Sequence, residues 1–295
     1  MKKKGGGAVH FVKAKGILSA QNGMNVYRGC SHGCIYCDSR SVCYGFTHAF
    51  EDIEVKENAP ELLEQALRAK RRRCMIGTGS MSDPYLHLEA ELGLTRRCLE
   101  VIDRYGFGVT IQTKSTRILR DLELLKAIDR KARAVVQMTL TTCDDALCRI
   151  VEPNVEPTSE RAEALRIFRD NGIPTIVWLT PILPFINDTE ENIRGLLRLC
   201  TDAGVRGILH FGMGLTLREG DREYYYAALD RHFPGLKERY IRTYGTAYEL
   251  PSPNSGELCR IVHETCLAHG MLEGPDACFS FLREFPDKYE QTSLF

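Results

Sequence analysis

The chain has 295 residues, 43% of them hydrophobic, and its 39 lysines and arginines balance 39 aspartates and glutamates to a formal net charge of zero. That is enough apolar content for a full core, as one large domain or one domain plus an appendage, and the neutral balance excludes strong non-specific binding to nucleic acid through overall charge while leaving a local groove open. No run of 18 apolar residues occurs and the N-terminus (Met1-Lys2-Lys3-Lys4-Gly5-Gly6-Gly7) has no apolar centre, so no membrane span, no secretory signal and a cytoplasmic location are expected.

In chain order, residues 1–20 are rich in Lys and Gly and read as a flexible basic tail. Apolar β-branched runs then alternate with helical patterns, which argues for parallel strands crossed by helices. The expected strands are residues 24–28, 74–78, 109–113, 134–140, 175–179 and 207–211. The basic run Lys70-Arg71-Arg72-Arg73 falls at a helix end just before the second strand, where cations complement the helix dipole, and not on a nucleic-acid face. A helix through Ala162, Leu165, Ile167 and Phe168 stops at Asn171-Gly172 before Pro174. Asp188-Thr189-Glu190-Glu191 has the form of a capping box, and Ile193, Leu196, Leu197 and Cys200 follow at helical spacing to Gly204.

Six strand–helix units without a G-x-G-x-x-G after the first strand favour an incomplete α/β barrel over a doubly wound nucleotide-binding sheet. From about residue 215 the pattern becomes helical and aromatic, with Tyr224, Tyr225, Tyr226, Phe233, Tyr240 and Tyr244. The expected organisation is a tail (1–20), a barrel (21–215) and a helical C-terminal extension (216–295).

The chemistry is concentrated in Cys30, Cys34 and Cys37, which spell C-x3-C-x2-C directly after the first strand. Three thiolates leave one iron of a 4Fe-4S cluster without a protein ligand, open to a substrate or cofactor. Zinc usually takes four N or S ligands in paired arrangements; His32 could be a fourth, but it sits between the cysteines and no second C-x2-C pair follows. A fortuitous grouping of packed cysteines is the remaining alternative. The other cysteines follow no secreted-scaffold spacing, and reduced thiols suit an iron–sulfur protein. Cys259, His263 and Cys266 recur near one helical face, with Cys278 beyond, as either an auxiliary metal site or a buried stripe beside Leu258, Ile261 and Val262.

With Tyr36 at its aromatic position, the cysteine run resembles the C-x3-C-x-aromatic-C signature of the radical S-adenosylmethionine (radical SAM) superfamily. The resemblance implies a partial (βα)6 TIM-type barrel, a 4Fe-4S cluster whose open iron is chelated by S-adenosylmethionine, and an electron donor such as flavodoxin or ferredoxin. It also implies reductive cleavage of the cofactor to a 5'-deoxyadenosyl radical. Asn25-Val26-Tyr27-Arg28-Gly29 and Asp38-Ser39-Arg40-Ser41 are similar to the spore photoproduct lyase-like, or DNA repair photolyase-like, group within it.

On that resemblance Ser82 and Asp83, after the second strand, meet the cofactor's amino group; Lys114, followed by Ser115, pairs with its carboxylate; and Thr139, with Thr141, reaches it from the fourth strand. The bland readings are an Asp-Pro turn, a solvated lysine and threonines that pack. Arg149, Glu152 and Arg161 are expected to form salt bridges within the protein. Ser80 stands where the lyase carries a hydrogen-donating cysteine, and because serine's O–H bond is too strong for that role, Cys43, Cys143 and Cys148 are the alternative donors.

The leading reading is a lyase-type radical SAM enzyme acting on damaged DNA or another nucleobase-containing substrate. The alternatives are radical modification of a protein, peptide or metabolite, and a non-catalytic iron–sulfur protein for electron transfer or sensing. The last residues, Gln291-Thr292-Ser293-Leu294-Phe295, resemble the Gln-Leu-Ser/Asp-Leu-Phe motif that docks on the DNA sliding clamp, with a tail folded onto its own domain as the alternative.

Overall fold

Consecutive buried residues break the alternation that a single strand would need at the start of the barrel. In the computed structural model, which describes residues 8–286, Met24, Val26 and Tyr27 are all buried, so residues 24–28 divide between two sheets. The chain enters through β1 (Val9–Val12), which lies within the stretch expected to be a flexible tail. Next, β2 (Gly23–Met24) joins the barrel sheet, while β3 (Tyr27–Arg28) pairs antiparallel with β4 (Ile53–Lys56). β1 pairs in parallel with the other edge of β4, giving a small sheet of order β1-β4-β3. Residues 9–12 are thus tied down by a ladder, correcting the expectation for that part of the tail.

The barrel follows. α1 (Ala59–Ala69) leads to β5 (Met75–Thr78), and α2 (Glu89–Leu92) and α3 (Leu94–Tyr105) lead to β6 (Gly108–Thr113). α4 (Leu122–Lys131) precedes β7 (Ala134–Thr139), α5 (Asp145–Val151) and α6 (Thr158–Asp170) precede β8 (Thr175–Trp178), and α7 (Glu190–Ala203) precedes β9 (Gly207–Leu209). The six expected strands therefore form one parallel sheet, each within a residue or two of its expected limits apart from the divided first. β7 is buried at every position, as a central parallel strand covered on both faces should be. Lys70–Arg73 connect α1 to the N-terminal end of β5. The α7 cap is Thr189, whose hydroxyl accepts from Asn192 N–H at 3.2 Å, one residue beyond the expected Asp188. Asp188 instead accepts from Phe185 N–H and Ser252.

Beyond the sixth strand, β10 (Gly214–Thr216), α8 (Asp221–His232), α9 (Leu236–Tyr244) and β11 (Glu249–Pro251) form a cap in which β10 and β11 pair antiparallel. Its aromatic content packs inward: the Tyr225 and Tyr240 hydroxyls are 2.9 Å apart, and Tyr240 donates to the Pro184 carbonyl. α10 (Ser255–His269) then leads to β12 (Leu272–Glu273), which pairs in parallel with β9, and α11 (Gly274–Arg283) covers β9. The barrel sheet is thus seven-stranded, in the order β12-β9-β8-β7-β6-β5-β2. Its last strand comes from the stretch expected to be a helical extension. The clamp-like segment Gln291–Phe295 lies outside the described residues.

Cys259, Cys266 and Cys278 do not assemble a metal site. Cys266 packs in the main core, Cys278 packs in a separate cluster with Met75, Val135 and Leu282, and His263 is exposed and bonded to Glu273. No helix among the described residues is long and apolar enough to cross a membrane.

Candidate active site

The segment from Gly29 to Cys37 has almost no regular structure, so its backbone groups must be satisfied from outside, and they are. Cys30 N–H donates to Phe50 O at 3.1 Å, Ile35 N–H to Val151 O at 3.0 Å, and Asn154 uses its backbone and side-chain N–H groups on the His32 and Ser31 carbonyls. Gly29 and Gly33 adopt φ of 87° and 72°, as expected for a tight loop; a Cβ on Gly29 would stand 2.5 Å from the Phe50 carbonyl.

The backbone N–H groups of His32 and Asp83 point at the Cys30 sulfur, while Ser39 presents its N–H and hydroxyl to that of Cys37. Such contacts favour thiolate sulfur and tune iron–sulfur centres. Burial pushes the Cys30 thiol up to about 12 and raises Cys34 and Cys37 as well. A bound metal would take the place of those protons. Among the described residues, the three cysteines are not a group whose ligand atoms are close enough to share one ion, and the buried His32 ring faces Asp83 at 3.5 Å.

Two networks brace the loop. After β5, Gly79 takes φ of 99°, and a Cβ there would lie 1.9 Å from the Gln112 carbonyl oxygen. The turn brings the Ser82 hydroxyl onto the Gly29 carbonyl. Asp83 accepts from Tyr85 N–H at 2.8 Å and from Thr113 Oγ1 and Lys114 N–H at 2.7 Å each. Ser115 accepts from the backbone and guanidinium of Arg117. Ser82, Asp83 and Ser115 thus sit beside the loop with their polar atoms engaged by the protein itself.

On the other side, Glu152 and Arg161 form the expected salt bridge, fully buried, and Tyr36 donates its hydroxyl to the same carboxylate. Burial pushes the Glu152 carboxyl up, but Arg161, Lys114 and the Tyr36 hydroxyl outweigh it and hold the group below the usual range. Arg149 instead donates to the Asp145 carbonyl and makes no ion pair among the described residues. Lys114 differs from these groups: half-buried, its ammonium lies 5.8 Å from the Tyr36 ring centre and makes no ion pair or hydrogen bond among the described residues. Burial alone would lower it, yet Cys34, Glu152 and Cys37 hold it above its ordinary value.

These residues meet at a cavity of about 760 Å³ over the C-terminal ends of β6 to β9, the catalytic end of such barrels. Tyr36, Cys37, Lys114 and Thr139 line it; Ser82, Asp83 and Ser115 do not. Cys43 is exposed and does not itself line the cavity, but its sulfur lies 3.4 Å from the guanidinium of the lining residue Arg218. Cys143 packs against Gly195 of α7, and Cys148 adjoins the Glu152–Arg161 pair, so neither reaches the cavity. Ser80 is exposed and does not line it.

Sequence reasoning missed Gln112, Trp178, Phe211, Arg218 and Tyr248, all of which line the cavity. The chain's single tryptophan at a strand's C-terminal end was a usable signal. Arg218 and Tyr248 are joined only by the fold, through a 2.7 Å hydrogen bond across the cap.

A protein of Mycobacterium tuberculosis strain H37Rv, itself uncharacterized, is 31% identical over 264 residues, which are 86% of this chain and 75% of that protein. An uncharacterized protein of Methanocaldococcus jannaschii is 32% identical over 176 residues, 59% of this chain and 65% of that protein. Among solved structures, spore photoproduct lyase complexed with dinucleoside spore photoproduct superposes with a TM-score of 0.62 at 13% identity, over 90% of this chain and 81% of that one. A mutant of that lyase with bound AdoMet and the dinucleoside photoproduct gives 0.56 at 13% identity, over 84% and 74%. Likeness at such low identity shows the fold alone, an α/β partial TIM barrel. The family model of the radical SAM superfamily matches residues 24–200, well over half of the sequence and the whole stretch from the first barrel strand into α7, and the chain belongs to that superfamily.

Proposed function

We propose that this protein is a radical SAM enzyme of lyase type that carries a 4Fe-4S cluster on Cys30, Cys34 and Cys37 and acts on a nucleobase-containing substrate, damaged DNA included. The superfamily implies the cluster and S-adenosylmethionine, and the residues fit both: three thiols, two of them with N–H groups aimed at the sulfur, beside an unpaired ammonium that faces the cavity. When bound, the two groups together supply a 5'-deoxyadenosyl radical, the species that abstracts a hydrogen atom from substrate.

The protein's part is to bind and orient. Lys114 offers its charge to a carboxylate, Gln112 and Thr139 offer hydrogen bonds from adjacent strand ends, and Tyr36 is held by Glu152. Ser82 and Asp83 brace the loop beside Lys114, where the family resemblance puts the cofactor's amino group. Cys43, at Arg218, is the donor thiol this reading favours over Cys143. A flavodoxin- or ferredoxin-like protein would deliver the electron, and clamp docking through Gln291–Phe295 would bring the enzyme to DNA.

The observation that carries the substrate class is Phe211, which is 61% exposed at the cavity and stands 6.1 Å from the Trp178 ring. An exposed phenylalanine beside a half-buried tryptophan is a platform for a base, and Arg218 on the same cavity's lining suits a phosphate. The test is anaerobic turnover with reduced protein and S-adenosylmethionine in the presence of ultraviolet-irradiated DNA, unirradiated DNA or a peptide mixture. Stimulation of 5'-deoxyadenosine release by DNA, lost in Phe211→Ala while basal release persists, is expected. Stimulation by peptides alone would move the assignment to the peptide class.

A further inference from the structure

On the far side of the cluster loop, the parallel register of β1 and β4 sets His10 directly beside Glu54. The His10 Nδ1 lies 2.9 Å from an Asp52 carboxylate oxygen, turning Nε2 towards Glu54 at 4.0 Å. His48 comes from the loop before β4, its ring 4.8 Å from that of His10, with Nδ1 3.0 Å from the Ala49 carbonyl. A carbonyl or carboxylate oxygen can only accept here, so in the neutral imidazole each Nδ1 carries the proton and each Nε2 is left with its lone pair. One ligand atom from each of His10, His48 and Glu54 falls within 4.8 Å of the others, and all three residues are half-buried.

We infer that His10, His48 and Glu54 form a binding site for a single divalent cation of the zinc class. The inference is independent of the function proposed above. An ordinary surface ion pair would explain His10 with Asp52, and His48 also packs edge-on against Phe46, but neither accounts for two imidazoles and a carboxylate converging on one point. The Glu54 carboxylate accepts no hydrogen bond among the described residues, although Arg28 lies opposite it in register on β3. That guanidinium turns instead to the Tyr44 and Gly45 carbonyls, at 2.8 and 2.9 Å.

Two imidazoles and one carboxylate suit a first-row divalent ion, above all zinc, and supply too few oxygens for calcium or magnesium. Three protein ligands leave a fourth position for water. A histidine whose other nitrogen is anchored on a carboxylate or carbonyl is the arrangement that orients metal ligands. Ligand atoms around one zinc stand roughly 3–3.5 Å apart, so side-chain rotations of about an ångström close the site. The ion would clamp β1 onto β4, next to the Phe50 carbonyl that holds Cys30.

The test uses cluster-loaded protein, freed of loosely held metal with EDTA and titrated anaerobically with zinc chloride by calorimetry. One equivalent should bind, with affinity at least tenfold weaker in His48→Asn and in Glu54→Gln, and weakened about tenfold in Asp52→Asn. Each variant's thermal unfolding without metal should match the parent, and zinc should raise the midpoint most in the parent. Absence of zinc binding in the parent, or binding that survives both His48→Asn and Glu54→Gln unchanged, as adventitious binding to thiols would, overturns the site.

Discussion

Glu152 and Arg161 form an ion pair that neither side chain shares with solvent, and Tyr36, adjacent to Cys37, donates its hydroxyl to the same carboxylate. Arg161 also donates to the Thr139 carbonyl at 2.7 Å, so one guanidinium joins α6, the end of β7 and, through Glu152, the cluster loop. Removing one partner of such a pair leaves the other charge buried without compensation. Arg161→Met should therefore lower unfolding free energy by about 3–5 kcal/mol in urea titration. The double variant Glu152→Leu/Arg161→Met should regain much of that loss. A single variant within about 1 kcal/mol of the parent would show that the pair does not hold the loop.

Lys114 and Asp83 should separate cleanly on substitution. Lys114→Met should weaken S-adenosylmethionine binding at least tenfold, about 1.4 kcal/mol, with iron content unchanged. Asp83→Ala strands three donors, including the Lys114 N–H and the Thr113 hydroxyl. It should cost about 2–4 kcal/mol of stability and reduce cluster retention along with cofactor binding. Equilibrium dialysis with iron analysis checks both, and unaltered affinity in Lys114→Met would remove that residue from the cofactor's site.

A pH effect should arise at the cap. Burial pushes the Asp221 carboxyl up to about 7; neighbouring acids add to this, and the Arg218 N–H only partly offsets it. One of its oxygens is buried with no hydrogen-bond partner. The unfolded chain releases this proton near the ordinary value of 3.8, so between about pH 4 and pH 7 the folded state binds more protons, and stability falls as pH rises. Asp221→Asn mimics the protonated form. Its stability should match the parent's near pH 4 and exceed it increasingly up to pH 7, with a constant gap above. A gap independent of pH would assign the effect to packing.

Hydrophobic patterning made the six barrel strands legible because each is a short apolar run bounded by turn residues, as at 134–140. It could not show that residues 24–28 split, since Val26 and Tyr27 are both apolar and both buried whichever sheet they enter. β12 was invisible for a different reason: two residues hold no period, and only the register with β9 makes them a strand. At the site, the cysteine spacing and Lys114 were local signals. The sequence points Asp83 at the cofactor, but it does not show that the Thr113 hydroxyl and two backbone N–H groups also engage its carboxylate. Arg218 and Tyr248 belong to the cap, and no sequence pattern connects them to the strand ends.

Cofactor cleavage is the decisive measurement. Anaerobically reconstituted protein, reduced with dithionite and mixed with S-adenosylmethionine, should yield 5'-deoxyadenosine and methionine by chromatography. Cys30→Ala, Cys34→Ala and Cys37→Ala should each lose both the brown chromophore and the product. Parent protein that holds a full cluster yet forms no 5'-deoxyadenosine, or a cysteine variant that keeps both cluster and cleavage, would contradict the assignment.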